Sequence, residues 1–460
     1  MGWKDCISDK RTGDQRPSQN ARTQYQRDYD RLIFYSGFRR LQNKTQVFPL
    51  PGNAFVHNRL THSLEVASVG RTLGHLAGEI IADLPEIREL PEVQAFYQYQ
   101  LSSVIAAGCL AHDVGNPPFG HSGEKAISHF FESNATSAIE GRSLQDYFDQ
   151  RSWADLVNFE GNANAFHCLT TDYHGKSKGG QQLTYTTLAS ILKYPCEATM
   201  VHPKIKHRKK YGVFQADKEV FLDVVRATGM LDESTEEGLI FRRHPFVYLV
   251  EAADDICYRI IDMEDAHRLG IIRTQEVIDI FWDVIAELEP NRQELDRFHR
   301  TLFSLEDANE KISYLRAKVI NTLVGASMEV FRTHLSEIAV GQLDHGLVDI
   351  IDQRSIALAT ANAISVEKIY QTRSVIEVEM AGYHVLSSLL EIFVPAVLKE
   401  KPTAMDKRAR LLIPAQYHTS PDFDPYTRCL NVVDFIAGMT DGYATELYRK
   451  MKGIDITQHR

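Results

Sequence analysis

Apolar residues recur every three or four positions over most of this chain, and that one period decides what it can fold into. The segment NRLTHSLEVASVGRTLGHLAGEIIADL carries Leu60, Leu64, Ala67, Leu73, Ala77 and Ile80 at mostly helical spacing, with Asn58 placed to cap it and Pro85 to stop it. QLSSVIAAGCLAHD is apolar nearly all round, which predicts a helix buried at the centre of the molecule. HPFVYLVEAADDICYRIIDMEDAHRLG predicts a third long helix ending near Gly270, and helical patterns continue through 305–337, 363–399 and 424–452. Strand-like alternation is sparse. The expected fold is mainly α with little β, and 1–24, 133–152, 171–180 and 202–212 read as irregular. The simplest organisation is a polar segment at 1–24, a helical catalytic core over 25–270 and a C-terminal helical region at 271–460 packed on that core.

With 460 residues, 43% of them hydrophobic and 24% charged, the chain can bury a large core. A net charge of −10 argues against bulk attraction for nucleic acid, although local basic patches remain. The six cysteines form no CxxC and no close pair, so reduced thiols in an intracellular protein are expected. The first residues are polar, without an apolar segment for secretion, and Cys6 stands where a myristoylation signal requires Ser or Thr. No stretch approaches about 18 uninterrupted apolar residues. These features predict a cytoplasmic protein with no membrane span.

The chemistry-bearing residues gather around the central helix. AHDVGNPPFGHSGE ends that helix on His112-Asp113, then a Gly/Pro-rich turn delivers His121 and Glu124. His62 shares a helix face with Arg59, three residues before it. EAADDICYRIID places adjacent acids in an apolar run, and buried acids need partners that one metal ion can supply together. A mixed imidazole and carboxylate set suits Mn, Mg or Fe with open positions better than a closed structural zinc. Asp254, Tyr258 and Asp262 are spaced by four, so they span roughly 12 Å along one helix face. Bland readings stand beside each of these. Asp262 could simply pair with Arg259, Ser122 could cap a helix on which Glu124 merely complements the dipole, and HPKIKHRKKYG (202–212) could be solvated surface.

Taken together, DYDRLIFYSGFRRLQNKTQVFP, NRLTHSLEVASVGR, AHDVGNPPFGHSGE, NFEGNA, LKYP, KKYG and YLVEAADDICYRIIDMEDA resemble, in order, the bacterial dGTPase-like deoxynucleoside triphosphate (dNTP) triphosphohydrolases of the HD-domain superfamily. The motifs cover roughly 25–270, and VVDFIAGMTDGYATELY extends the likeness toward the C-terminus. The resemblance implies a helical HD core and a divalent metal, Mn or Mg with Fe, Co or Ni as alternatives, held by His62, His112, Asp113 and Asp254. Asp254 is preferred to Asp255 because Tyr258 and Asp262 then fall on the ligand face, as the family pattern requires. It further implies His121, supported by Glu124, as catalytic acid or base, and Arg59, Lys193, Lys210 and Tyr258 as triphosphate-binding. Gln46 and Asp262 are implied to read the sugar 3′-hydroxyl, with Asn162 in the same pocket and base recognition around 377–383.

Members of that family release deoxynucleoside and intact tripolyphosphate, so the expected reaction is water attack at the α-phosphorus of a dNTP, dGTP being the first named substrate. The resemblance also implies a homo-oligomer, commonly a hexamer. Two other readings stay open. One is a different HD-domain phosphohydrolase, such as a nucleotidase or phosphodiesterase. The other is a non-catalytic dNTP sensor or nucleic-acid-binding protein, for which the basic loop at 202–212 is the only support.

Overall fold

Several helix starts in this protein are written by side-chain caps. In the computed structural model, which describes residues 2–13, 22–48 and 56–455, α1 (Gln24–Phe34) begins where Thr23 and Gln26 cap each other's backbone N–H groups. The next long helix, α2 (Arg59–Ala82), begins where the Asn58 side chain accepts the Thr61 N–H. It ends before Pro85, which occupies the first turn of a short helix of its own. Every residue of the central helix, α3 (Leu101–Ala111), except Ser102 and Ser103 is buried. Helix α2 makes room for it with small residues four apart: a Cβ on Gly70 would lie 2.4 Å from Cys109 Sγ, and one on Gly74 2.9 Å from Ser102 Cα.

Beyond α3 the chain turns sharply into α4 (Gly120–Ser133) and continues through α5 (Gly161–Thr170) to α6 (Val247–Arg268). The C-terminal half consists of α7 (Thr274–Leu288), α8 (Ala308–Thr333), α9 (Arg373–Leu398), α10 (Pro425–Ala437) and α11 (Asp441–Met451), with short helices between them. Among the described residues the only sheet is a two-stranded hairpin, Ala138–Ile139 against Arg142–Ser143. The expected mainly helical fold is therefore what forms. The pattern over 424–452 resolves into two helices, because Thr440 accepts the Tyr443 N–H and starts a new one.

Two apolar clusters organise these helices. One is built from α2, α3, α6, α7 and α8; the other from α4, α9, α10 and the segments around 156–163 and 196–214. The turn from α3 to α4 therefore passes from one core to the other, and the conspicuous ionisable residues lie at that crossing. By length and composition, α9 alone among the described helices could cross a membrane, with mean hydropathy 1.5, but 56% of that window is buried against its neighbours. It packs as a core helix. All six cysteines are free thiols.

Candidate active site at the crossing of the two cores

Helices α2 and α3 run antiparallel, so the start of one and the end of the other meet beside the middle of α6. His62, His112 and Asp254 come together there, with their ligand atoms within 4.8 Å of one another. His62 Nε2 lies 3.0 Å from Asp254 Oδ1. His112 Nδ1 sits 2.6 Å from the Cys109 carbonyl, which can only accept, so Nδ1 carries a proton and Nε2 is the nitrogen turned to the cluster. That Nε2 lies 3.4 Å from Asp254 Oδ1 and 3.6 Å from Asp113 Oδ1, yet it is buried with no hydrogen bond among the described residues. Asp113 is committed elsewhere, accepting from Arg59 at 2.8 Å and from Asn116 at 2.5 Å. Burial pushes the carboxyls of Asp254 and Asp113 up. For Asp254 the His112 and His62 imidazoles outweigh it, and for Asp113 the Arg59 guanidinium followed by the same two imidazoles, so both are held below their ordinary value.

Next to this cluster stands an oriented histidine. His121 Nδ1 is 2.8 Å from Glu124 Oε2, while Glu124 Oε1 accepts the Gly161 N–H at 2.8 Å. Burial raises the Glu124 carboxyl, but His121, Lys210 and the Gly161 N–H together bring it below its usual range, so it is an acceptor at neutral pH. Nδ1 of His121 is thereby fixed as a donor and Nε2 is left free on a mostly exposed ring. Ser122 does not cap α4. The helix starts earlier, at Gly120, and Ser122 Oγ donates to the Glu379 carbonyl in α9 at 2.5 Å.

The remaining residues form two flanks. On one, Lys210 Nζ lies 2.7 Å from Glu160, whose other oxygen accepts from the Asn162 side chain at 2.6 Å. Lys193 lies 3.4 Å from Glu251, a buried carboxylate that also receives Lys206 and Arg243. On the other flank, Tyr258 stacks on Tyr370 with ring centroids 5.8 Å apart, and the Tyr370 hydroxyl donates to Asp262 at 2.8 Å. Asp262 does not pair with Arg259, which is turned to Asp352. Burial pushes the Asp262 carboxyl up to about 8. Gln46 is half-buried, and its Oε1 has no hydrogen-bond partner among the described residues.

Residues 59–182 match the HD domain and residues 353–450 the phosphohydrolase-associated domain. A deoxyguanosinetriphosphate triphosphohydrolase-like protein of Synechocystis is 37% identical over 463 residues, covering 99% of this chain and 100% of that protein. The chain belongs to this dGTPase-like family of HD-domain phosphohydrolases. A like-named protein of Pseudomonas aeruginosa is 36% identical, with 98% and 99% of the two chains covered. A deoxyguanosinetriphosphate triphosphohydrolase of Klebsiella pneumoniae is 30% identical over 94% of each.

In this HD-domain phosphohydrolase several site residues escape a reading of the sequence. Tyr370 follows a short π-helical turn, Ser365–Ile369, and only the fold brings it onto Tyr258. Glu160 was in plain view inside NFEGNA, but nothing local marks it as the partner of a lysine fifty positions on. The loop at 202–212 turns most of its cations inward. Lys206 meets Glu251 and Asp349, Arg208 donates to the Met200 carbonyl and Lys210 meets Glu160, while the buried His207 ring, lowered in basicity by burial and Arg242, faces Glu233.

Proposed function

We propose that this protein hydrolyses dNTPs, dGTP first among them, to deoxynucleoside and tripolyphosphate. The observation that carries the reading is the gathering of His62, His112 and Asp254, their ligand atoms within 4.8 Å of one another, beside a histidine whose proton position Glu124 dictates. Imidazole nitrogens and a carboxylate gathered within 4.8 Å fit a divalent cation, Mn or Mg, held by His62, His112 and Asp254 with Asp113 adjacent, the His112 Nε2 giving up any proton to the ion. Bound there, such an ion polarises a phosphoryl group and favours deprotonation of a nearby water.

The chain's own residues do the rest. Release of intact tripolyphosphate requires the bond between the α-phosphorus and the 5′-oxygen to break, with water supplying the new oxygen on phosphorus. The 5′-alkoxide is a poor leaving group, and proton transfer at His121 Nε2, with Nδ1 anchored on Glu124, is worth about 10²–10⁴-fold. Arg59, Lys193 and Lys210 neutralise the triphosphate, and Tyr258 borders it. Their present carboxylate partners keep these cations in place until phosphate oxygens exchange with them. A neutral Asp262 and the Gln46 Oε1, which has no hydrogen-bond partner among the described residues, suit a sugar 3′-hydroxyl, which can donate and accept, and Asn162 is assigned to the substrate pocket by the family resemblance alone. The stacked Tyr258–Tyr370 pair supports selection against a 2′-hydroxyl by filling the space beneath the sugar. A cytoplasmic setting and assembly into a homo-oligomer belong to the same reading.

The test is the purified protein with each dNTP and Mn or Mg in heavy-oxygen water. Tripolyphosphate bearing the heavy oxygen supports the reading. Monophosphate or pyrophosphate without tripolyphosphate overturns it in favour of another phosphohydrolase chemistry.

A further inference from the structure

The turn between Asp113 and His121 is strained, and residues from far down the chain hold it. Phe119 lies in the left-handed region with φ of 61°, unusual for a bulky side chain and costly unless its surroundings enforce it. Its backbone N–H donates to Asp441 Oδ1 at 3.1 Å. Its ring lies where only a glycine leaves room, since a Cβ on Gly382 in α9 would sit 2.4 Å from Phe119 Cγ. Asp441, 8% exposed at the first turn of α11, uses its other oxygen to accept the Thr45 N–H at 2.7 Å. One carboxylate thus ties together the catalytic turn and the segment bearing Gln46.

Beside it, Lys44 is 2% exposed and has no carboxylate in contact among the described residues. It donates to the Asn116 carbonyl at 2.5 Å and to the Ala437 carbonyl, at the end of α10, at 2.7 Å. Burial and then Arg40 push its ammonium down to about 7, and it can donate both bonds in either form. The hydrogen bond from Ser122 Oγ to Glu379 in α9 completes the attachment.

We propose that Lys44 and Asp441 are positioning residues, which clamp the turn 116–120 against the C-terminal helices and so set where His121 stands. Asp113 leads into this turn and His121 leaves it, so its shape fixes the vector between the metal-type cluster and the proton-transfer group. Through Asp441, which does not touch substrate, the region matching the phosphohydrolase-associated domain, 353–450, then takes part in catalysis. The clamp itself is a matter of structure; its effect on rate rests on the function proposed above.

The experiment uses the full-length protein and two variants, Asp441→Asn and Ser122→Ala, each checked for helical content and thermal midpoint. Amide hydrogen exchange is followed over 114–124, alongside steady-state tripolyphosphate release. Asp441→Asn turns an amide N–H₂ toward one of two backbone donors and is expected to speed exchange in that peptide. With His121 displaced, kcat is expected to fall about 10–100-fold while KM stays within about threefold. In a His121→Ala background the same change should alter the residual rate by less than about twofold, because the two act through one group. Ser122→Ala, which removes a single outer tie, should show the same signs more weakly. Unchanged exchange in 114–124, an unchanged kcat despite faster exchange, or a full further loss on top of His121→Ala each overturn the proposal. A wild-type protein that releases no tripolyphosphate from any dNTP sinks the assigned reaction but not the clamp, which the exchange measurement then upholds or overturns by itself.

Discussion

His112 carries the most information of any single residue here, because its two nitrogens are treated so differently. Nδ1 is spent on the Cys109 carbonyl, while Nε2 is buried between Asp113 and Asp254 without a hydrogen bond among the described residues. Leaving such an atom unsatisfied costs roughly 1–3 kcal/mol unless something binds it. His112→Ala, or Asp254→Ala, is therefore expected to abolish stoichiometric Mn or Mg binding, measured by metal analysis after dialysis. Hydrolysis should fall by more than about 10³-fold, since both polarisation and positioning are lost. Glu124 makes a subtler point. Its two oxygens serve His121 Nδ1 and the Gly161 N–H, and Lys210 lies 3.9 Å away. Glu124→Gln keeps the shape but presents an amide N–H₂ to one of two donors. We expect kcat to drop about 10–100-fold with metal content unchanged, read by steady-state kinetics beside metal analysis. An unchanged kcat would remove Glu124 from the mechanism.

Elements meet at this site with almost no slack, and Gly115 shows how little. A Cβ there would fall 2.1 Å from the Ala165 backbone nitrogen and 2.3 Å from the Gly161 carbonyl oxygen, while the Gly115 carbonyl accepts from Asn164. Gly115→Ala must push α5 away from the turn that follows α3. The expected cost is about 1–3 kcal/mol, seen as a lower urea midpoint, with a loss of activity because Gly161 carries the N–H that Glu124 holds. Contacts of this kind explain what could be read in the sequence and what could not. The helices were legible because a buried stripe must repeat every three or four residues, and Asn58 announced its helix by its chemistry. The meeting of His62, His112 and Asp254 was legible only through the family resemblance, because helical spacing alone does not choose between Asp254 and Asp255. Lys44 and Asp441 left no trace, because each acts on backbone groups far away in sequence, and backbone groups are the same at every position. The loop 202–212 misled for a related reason. Its charge run looks like solvated surface until Glu251 and Glu160 arrive from other segments to pair with it.

Across the whole molecule, the two cores must be kept in register if a site at their crossing is to hold its shape, and His167 joins them. It lies on α5, whose first residue binds Glu124, and it is 3% exposed. Nδ1 is 2.9 Å from Asp217, and Nε2 is 3.0 Å from Asp434 of α10. The other polar groups on this cluster are the Tyr173 hydroxyl, which donates to Asp434, and the Thr171 hydroxyl. Burial lowers the basicity of this imidazole, but Asp217 and Asp434 outweigh it and hold the ring well above its ordinary value of 6.5. The sign of the pH effect follows from that direction. Below 6.5 the ring is protonated in both the folded and the unfolded chain, so the bridge contributes its full stability. As pH rises past 6.5, the unfolded chain loses this proton while the folded chain keeps it, and stability declines until the folded ring also titrates. His167→Gln keeps at most neutral hydrogen bonds to the two carboxylates and cannot release that proton. Denaturant midpoints measured from about pH 6 to about pH 9 should therefore fall more steeply for the wild type than for His167→Gln. The variant should lie below the wild type throughout, with the gap widest at the acidic end. Parallel curves would mean that the bridge is held by neutral hydrogen bonds, and that the junction of the two cores carries no charge of its own.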